Sequence, residues 1–448
     1  MTVRPIAVLV TLVGAMLTAA ACSEHLNGGA ACPALCPGQN LQVLDTTFRV
    51  DHLAPVYDTT IASFPLLGEE GTVLLANIPH RADVRGVLRF DSLANYYAHT
   101  VGTTITNLYP TVAHDALLLF AINRASVVTT RGSDQIQFLV YDVDTTADTS
   151  VSVLSSMFTT PHFLGASATF LASALRDTLT GGSIDTIRIH LDTAAFLAKV
   201  RGDRKLRLGI IAQLANSRSD GLRLTISTTS VPIVRYIGSL DSLKKNDTTY
   251  FRIASNLRSV DPVTDPALLA RLSHYPLIVQ GAVADSLDAL NIGGIPARRV
   301  YLKFGLPSRI IDTANVLHAT LMLHPRPLPF QLPGDTVVLY PDPVVSSNKV
   351  KTAAEATNFI VSNTIYSLDS VKVVPSGTSV VALEFVNAVK NWQNISDTLN
   401  TRTLVLRIQA EGGTSLETSF WSSFASDTSL RPHVRLQYVK RSGFGVPN

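Results

Sequence analysis

Two short stretches of the sequence carry residue types at spacings that can support chemistry. Asp142-Val-Asp-Thr-Thr-Ala-Asp148 spaces its carboxylates like the start of a calcium-binding loop. It lacks the Gly at the sixth position and the Glu at the twelfth that such a loop needs, so we interpret it as a solvated acidic turn, with a weak structural calcium site as the alternative. Ser242-Leu-Lys-Lys245 matches Ser-x-x-Lys, but the companion motifs of penicillin-recognising enzymes are absent and the stretch falls in a predicted linker.

The other candidates for catalysis are dispersed along the chain. Paired glycosidase carboxylates need no local motif, and the candidates are Glu384, Glu411 and Glu417. The histidines that could converge in space are His80, His99 and His114, although solvated loop histidines are the commoner case. The sequence has no Gly-x-Ser-x-Gly, His-Glu-x-x-His, Walker loop or Gly-x-Gly-x-x-Gly. It therefore predicts no catalytic residue, no cofactor and no metal site.

The two tryptophans raise the question of carbohydrate binding, because sugar sites commonly stack an exposed aromatic ring on a pyranose face. Trp392 lies in a stretch with helical spacing and is expected to be a core residue. Trp421 alternates outward from Phe420 along a predicted strand. Trp421 is therefore the predicted carbohydrate-binding residue.

The N-terminal segment has the features of a targeting sequence. Arg4 supplies a positive charge, and residues 6–17 form an apolar run that is too short for an ordinary spanning helix. The run ends in Leu17-Thr-Ala-Ala-Ala-Cys22, which resembles the lipobox of bacterial lipoproteins, where a peptidase cleaves before the Cys and the thiol carries a diacylglycerol. Ala19 departs from the usual Leu, and an ordinary secretory signal is the alternative. Ser23 resembles the residue found in lipoproteins that are sent on to an outer membrane.

This segment predicts the location of the protein. Residues 1–21 would be the lipoprotein signal peptide, and residues 22–42 the lipidated Cys22 and a flexible tether. Cys32 and Cys36 favour a small disulfide loop, since a zinc site needs about four ligands. We expect a lipid-anchored protein of the bacterial cell envelope, at an outer membrane or the cell surface if the source has an outer membrane. The lipid on Cys22 would attach the protein to the membrane, which is therefore an expected partner.

Composition narrows the function of the folded part. A chain of 448 residues has room for about two or three domains. The formal charge is only +3, and basic residues occur singly or in pairs. Because nucleic-acid binding needs a concentrated basic face, we predict no nucleic-acid partner. The abundance of Thr, Ser and Val suits half-buried strands.

The second half of the chain repeats the first. The alternating stretch Arg299-Val-Tyr-Leu-Lys-Phe-Gly-Leu-Pro307 has a counterpart in Arg85-Gly-Val-Leu-Arg-Phe-Asp-Ser-Leu93. Further matches follow in the same order: residues 114–120 with 317–323, Ile187 with Leu383, Ile189 with Phe385, Phe196 with Trp392, residues 206–210 with 404–408, and 232–235 with 432–435. A collinear series of this kind indicates duplication.

Each repeat is predicted to consist mostly of short strands. The candidate strands are 71–76, 85–90, 116–122, 135–141, 166–172, 184–189, 205–212, 222–227 and 233–237, then 319–323, 336–339, 363–368, 380–385, 403–408 and 433–438. One short helix is expected in each repeat, at 193–200 with Asp192 as its cap and at 387–393, and a further one at 267–272. Phe196 and Trp392 on the two matched helices would plug the open end of a sandwich.

The pattern predicts an all-β chain with two tandem β-sandwich (jelly-roll-like) domains, each with one short helix, after the signal peptide and tether. The predicted limits are 43–238 for the first domain and 247–440 for the second, with a tail at 441–448. Residues between these limits would form a linker. Residues 257–277 are expected to be an insertion at the start of the second domain.

Six segments of the second repeat occur in a characteristic order. They are residues 300–307, Ala319-Thr-Leu-Met-Leu323, residues 381–392, Thr403-Leu-Val-Leu-Arg407, Phe420-Trp-Ser-Ser423 and residues 431–438. That order resembles the DNRLRE, or disaggregatase-related, modules of secreted bacterial and archaeal proteins. The resemblance implies a jelly-roll β-sandwich, and some members of that family bind carbohydrate. The first repeat departs from it, because Phe196 stands in place of the helix tryptophan.

Three functional hypotheses follow from the sequence. The first is a non-catalytic, lipid-anchored envelope protein that binds extracellular glycan or a surface protein through its sandwiches. The second is a purely structural or assembly protein of the envelope. The third is a glycan-active hydrolase, which would need two carboxylates facing each other across a cleft at about 5–9 Å.

Overall fold

The computed structural model has an all-β fold with a few short helices. Residues 44–448 form one compact unit. The structure describes residues 43–49, 57–64, 72–90, 93–143, 150–176, 186–215, 221–227, 232–240, 248–254, 274–281, 286–307, 310, 313–328, 332, 334–344, 368–394, 402–409 and 411–440. Cys22, Cys32, Cys36, the signal peptide, the tether, the tail, Ser242 to Lys245 and the predicted helix at 267–272 lie outside these residues.

The strands are numbered in chain order. They are β1 Leu44–Arg49, β2 Tyr57–Phe64, β3 Val73–Ile78, β4 Ala82–Phe90, β5 Tyr97–Val101, β6 Thr104–Leu108, β7 Pro110–Phe120, β8 Ile122–Thr129, β9 Gln135–Asp142, β10 Phe163–Ala166, β11 Phe170–Leu171, β12 Ile187–His190, β13 Leu206–Leu214, β14 Leu222–Ile226, β15 Ile233–Leu240, β16 Thr248–Ala254, β17 Tyr275–Gln280, β18 Ala289–Gly293, β19 Ala297–Lys303, β20 Ala314–Leu323, β21 Val337–Val344, β22 Val371–Val373, β23 Val381–Glu384, β24 Thr403–Ile408, β25 Glu417–Trp421 and β26 His433–Lys440. The α-helices among the described residues are α1 Val151–Ser156, α2 Ala172–Arg176, α3 Thr193–Arg201 and α4 Val386–Asn394.

The first sandwich packs two antiparallel sheets against each other. One sheet has the order β10-β9-β13-β4-β3-β14-β8, with β11 on β9 and β17 on β4, and the other has the order β12-β7-β15-β16. Alternation places apolar side chains of both sheets in one core, where Phe120 meets Phe138 at a ring separation of 5.5 Å. Phe196 from α3 enters the same core and lies 5.2 Å from the ring of Tyr236.

The second sandwich is built in the same way. Its sheets have the orders β22-β21-β24-β19-β18-β25, with β2 on β19, and β1-β26-β20-β23. Trp392 from α4 is buried in its core beside Phe304 and Phe385, at ring separations of 5.9 and 6.0 Å. Both predicted helix aromatics therefore fill a sandwich core, where each ring removes a large apolar surface from water.

The two sandwiches share one strand order. The series β10-β9-β13-β4-β3-β14 in the first has the same connectivity as β22-β21-β24-β19-β18-β25 in the second. In the smaller sheets, β12-β7-β15-β16 corresponds to β23-β20-β26-β1. This shared order is what an internal duplication produces.

The strand register corrects one part of the predicted alignment. Val234 pairs with Leu118, and its counterpart Val434 pairs with Leu321. Leu118 pairs on its other side with Ile189, whereas Leu321 pairs with Leu383. Ile189 therefore corresponds to Leu383, and the prediction that it matches Phe385 was wrong by two residues. A shift of two residues keeps the same side chains inward, so the pattern of apolar residues does not reveal it.

Most of the predicted elements are present within the described residues. The helix at 193–200 is α3, and Asp192 caps it by accepting a hydrogen bond from the backbone N–H of Ala195 at 2.7 Å. The prediction of a single strand at 166–172 was wrong, because this stretch divides into the end of β10, the short β11 and the start of α2. The predicted strand at 363–368 lies outside the described residues except for its last residue.

Strands are exchanged between the two halves of the chain. β1 and β2 precede the first sandwich in sequence, yet they pair with β26 and β19 of the second. β16 and β17 follow β15 and pair with β15 and β4 of the first. The predicted limits of 43–238 and 247–440 thus divide the sequence, while the sheets cross that division.

No helix in the described part of the chain is both long and apolar enough to span a membrane.

Acidification is expected to destabilise the attachment of the β17 segment. His274 directly precedes β17, and its Nδ1 accepts a hydrogen bond from the backbone N–H of Arg89 on β4 at 3.4 Å. Burial lowers the pKa of His274 from 6.5 to about 4. The unfolded chain therefore binds a proton at a higher pH than the folded chain does, so stability should be full above about pH 7 and fall as the pH drops from about 6.5 to about 4.

The measurement is the urea midpoint as a function of pH for the wild type and for His274→Gln. Glutamine keeps a hydrogen-bond acceptor but does not titrate, so the variant should lose most of the decline between about pH 6.5 and 4. An equal decline in both proteins would contradict the assignment.

Candidate functional site

Trp421 is the last residue of β25 and lies at one end of the second sandwich. Its strand pairs with β18, where Ala289 is the partner of Trp421, and its backbone N–H donates to the carbonyl of His324 at 3.0 Å. Phe420 is fully buried, whereas Trp421 is only partly buried. The predicted outward alternation of these two residues therefore agrees with their burial.

The ring of Trp421 carries a cation on one face. The guanidinium carbon of Arg326 lies 5.2 Å from the ring centroid, within the range of a cation–π contact. Arg326 also contacts the carboxylate of Asp288 at 3.6 Å and donates to the hydroxyl of Ser286 at 3.2 Å. One face of the indole is thus covered by Arg326, and the remaining exposed part of the ring is what a ligand could contact.

Two residues with exposed apolar side chains are hydrogen-bonded through their backbones to Ser422, the neighbour of Trp421 in the chain. The Ser422 hydroxyl donates to the carbonyl of Leu287 at 2.5 Å and accepts from the backbone N–H of Phe424 at 3.0 Å. Leu287 is 83% exposed and Phe424 is 62% exposed. We call the group of Leu287, Asp288, Arg326, Trp421 and Phe424 the Trp421 surface.

A second feature is a cleft of about 830 Å³ between the two sandwiches. It is lined from β8, β14 and the approach to β3 on one side and from the connection between β24 and β25 on the other. The lining residues are Thr72, Asn123, Ala125, Ser126, Val128, Arg223, Thr225, Gln409, Glu411, Gly413, Thr414 and Leu416. Among these residues there is no aromatic ring and one carboxylate.

The charges of this cleft are neutralised by their neighbours. Glu411 accepts two hydrogen bonds from Arg299 at 2.6 and 2.8 Å. Arg223 forms an ion pair with Asp335 of the second sandwich at 2.8 Å. What remains in the lining is hydroxyl and amide chemistry, which can hydrogen-bond a neutral polar molecule but does not supply the carboxylate pair of a glycosidase.

The junction beside the cleft contains a buried cluster of charges. Glu417 on β25 is 2% exposed and bridges Arg298 on β19 and Arg81 on the β3–β4 turn, at 2.8 and 2.9 Å. Apolar side chains of both sandwiches, including Leu74 and Leu332, also form one buried cluster. Glu417 therefore ties the first sandwich to the second.

The remaining sequence candidates are engaged in local structure or lie outside the described residues. Glu384 accepts from the backbone N–H of Ala319 and from the Thr320 hydroxyl, both at 2.9 Å. Asp142 pairs with Lys199 at 3.0 Å, while Asp144 and Asp148 are outside the described residues. His114 Nε2 contacts the Ser239 hydroxyl, and the His99 side chain is not among those described. No cluster of metal-ligating side chains occurs among the residues that the structure describes.

The sequence alone did not identify Phe424, Arg326 or the cleft. Phe424 could have been found, because three aromatic residues occur within Phe420-Trp-Ser-Ser-Phe424. Arg326 lies almost a hundred residues earlier in the chain and reaches Trp421 only through the β-strand pairing. The cleft depends on how two sandwiches pack, which no local pattern encodes.

Comparisons with known proteins assign no family. No family model matches the sequence, and no curated protein matches it. Among solved structures, the chain is similar to a mutant VP2 protein of infectious bursal disease virus from T=1 particles, with 8% identity, 90% of this chain and 75% of that chain covered, and a TM-score of 0.11. A likeness at that TM-score supports no argument about fold or function.

Proposed function

We propose that the protein is a non-catalytic, lipid-anchored cell-envelope protein that binds extracellular glycan through the Trp421 surface. The observation that supports this most directly is a partly exposed tryptophan that contacts an arginine paired with an aspartate, with an exposed phenylalanine three residues further along the chain. The lipid anchor is proposed from the Cys22 motif alone. The partner in this proposal is a polysaccharide or another glycan, with a surface protein as the other candidate.

The chemistry of the Trp421 surface suits a sugar. A pyranose ring has an apolar C–H face, which gains most from contact with an aromatic ring, and hydroxyl groups at its edge, which need hydrogen-bond partners. Phe424 and the exposed part of Trp421 would contact the apolar face of the sugar. Asp288 and Arg326 would hydrogen-bond to its hydroxyl groups. Hydrogen bonding to Ser286 lowers the pKa of Asp288, and an ionised carboxylate of this kind acts as a hydrogen-bond acceptor.

The experiment is a glycan array together with affinity electrophoresis on soluble polysaccharides, using residues 43–448 and three variants. Trp421→Ala and Phe424→Ala should each weaken binding by about tenfold or more, which corresponds to the loss of about 1.4 kcal/mol of contact. Tyr96→Ala is the matched control, because Tyr96 is an exposed aromatic residue of the first repeat. It should leave binding unchanged.

Each outcome discriminates between locations and functions. Loss of binding in all three variants would indicate a general effect and would contradict a site at Trp421. Binding that survives Trp421→Ala and Phe424→Ala would keep glycan binding and place it elsewhere on the molecule. No binding by the wild type would remove this proposal in favour of the structural or assembly role.

The strand exchange between the two halves favours the assembly role as the second candidate. A sheet that accepts strands from a distant part of the chain can accept the same strands from another molecule. The third candidate, a glycan-active hydrolase, has less support. Glu384, Glu411 and Glu417 each accept hydrogen bonds from their own protein neighbours.

A further inference from the structure

Each sandwich is completed by two strands that come from the other half of the chain. In the first sandwich, β16 extends the smaller sheet at β15 and β17 joins β4 of the larger sheet. In the second, β1 extends the smaller sheet at β26 and β2 joins β19 of the larger sheet. The two connections that lead out of these pairs, residues 65–72 and 281–288, have equal length. The exchange is therefore reciprocal, as in a strand-swapped dimer whose two halves have been joined.

β1 is held to the second sandwich mainly at its edge. Among the described strands it pairs with β26 alone, over six residues from Leu44 to Arg49. Its residues alternate between exposed and partly buried, and Phe48 is the one that packs against the core as a partly buried side chain. A strand with so few buried contacts opens at low cost compared with the central strands.

The contacts that β1 does make are specific for its sequence. Arg435 donates to both carboxylate oxygens of Asp45, and Gln437 donates to the same carboxylate at 3.0 Å. The hydrogen bond from Arg435 lowers the pKa of Asp45 to about 2. The Thr46 hydroxyl reaches the Tyr438 hydroxyl at 3.5 Å. When β1 opens, the edge of β26 becomes an unpaired template, and the segment that matches its side chains is another β1.

We propose that β1 and β2 exchange between two copies of this chain, so that each copy's N-terminal strands complete the second sandwich of the other copy. All pairings seen within one chain are kept in such a dimer, and only their chain of origin changes. Exchange of identical elements is a low-cost route to a dimer, because no new interface has to be created. The proposal does not depend on glycan binding, and its test has a different readout.

The test traps an exchanged strand with a disulfide. Residues 43–448 contain none of the three cysteines, so introduced thiols are the only ones present. Thr47 and Arg435 face each other in register, and paired positions of antiparallel strands lie within the Cα separation that a disulfide spans. One copy carries Thr47→Cys and an isotope label, and the other carries Arg435→Cys. The two are unfolded together in urea, refolded, oxidised and analysed by intact mass.

The expected result is a disulfide-linked dimer of one labelled and one unlabelled chain. Its yield should exceed by about tenfold that of Thr47→Cys mixed with Lys440→Cys, because only docked strands hold their thiols at high effective concentration. Lys440 is an exposed residue of the same strand, outside the register of β1. It therefore controls for random collision.

A chain carrying both Thr47→Cys and Arg435→Cys shows whether β1 docks on β26 at all. If this chain closes its own disulfide while the mixed pair gives no more dimer than the Lys440→Cys control, exchange between copies is excluded. Because Arg435→Cys also removes the contact with Asp45, the pair Leu44→Cys and Tyr438→Cys, which faces in register and keeps that contact, is made as well. If neither double variant closes, β1 is not docked in solution and the proposal fails at its first step. An oxidised, closed double variant should also no longer form mixed dimers with either single variant.

Discussion

Replacing Glu417 with Gln is expected to lower the free energy of unfolding by about 3–5 kcal/mol, the range for removing one partner of a buried ion pair. Glu417 is 2% exposed and its carboxylate lies between the guanidinium groups of Arg81 and Arg298, residues that are 8% and 6% exposed. Glutamine keeps the shape but removes the negative charge, so Arg81 and Arg298 would remain close together in a poorly solvated place. The cost arises from the loss of the negative charge between these two cations rather than from a change in packing.

Urea denaturation followed by far-UV circular dichroism measures this loss. Asp115→Asn is the control, because it removes a carboxylate from an exposed ion pair with His190 and should cost no more than about 1 kcal/mol. Similar losses in the two variants would show that Glu417 does not act as a buried charge. Because Arg81 belongs to the first sandwich, the Glu417→Gln transition should also broaden or divide as the two sandwiches lose their tie.

The fold could be predicted from the sequence because its information is local. Alternating apolar residues around Leu88 and Leu302 predict short strands, and Asp192 predicts the start of a helix. Trp392 could be placed in a core because it lies on the buried side of a short helix. These features depend on a few neighbouring residues, and all of them are confirmed by the structure.

The features that the sequence did not predict depend on contacts between residues far apart in the chain. The alternation that predicts a strand does not say which strand it pairs with, and so neither the exchange of β1 and β16 nor the two-residue shift at Leu383 could be seen. Glu417 was a candidate acid by residue type alone. Its role was fixed only when the fold brought Arg81 and Arg298 to it.

The candidate site also depends partly on local sequence and partly on contacts between distant residues. The outward direction of Trp421 follows from period-two alternation, which is local. Whether the ring is free is decided by Arg326, which arrives from the end of another strand. A sequence pattern can thus predict that a side chain faces the surface. Which residues it contacts there is determined by the packing of the sheets.

Trp392→Ala is expected to cost about 3–5 kcal/mol, the usual range for truncating a large aromatic residue in a core. The ring is 5% exposed and is packed between Phe304 and Phe385, so its removal leaves a cavity that these two rings cannot fill. Phe196→Ala is the matched change in the first sandwich, where the ring is 1% exposed and contacts Tyr236. Trp421 remains in Trp392→Ala and both tryptophans remain in Phe196→Ala, and since both lie in the second repeat their fluorescence reports on the second sandwich.

The informative measurement is the urea midpoint of tryptophan fluorescence in each variant, compared with that of the wild type. Trp392→Ala should lower it directly. Phe196→Ala should lower it as well, because exchanged strands and the Glu417 cluster connect the second sandwich to the first, and a loss in one becomes a loss in both. If Phe196→Ala instead lowered only the circular-dichroism midpoint and left the fluorescence midpoint in place, the sandwiches would unfold independently. The reciprocal strand exchange would then contribute little to cooperativity, and its value to the protein would have to lie in assembly.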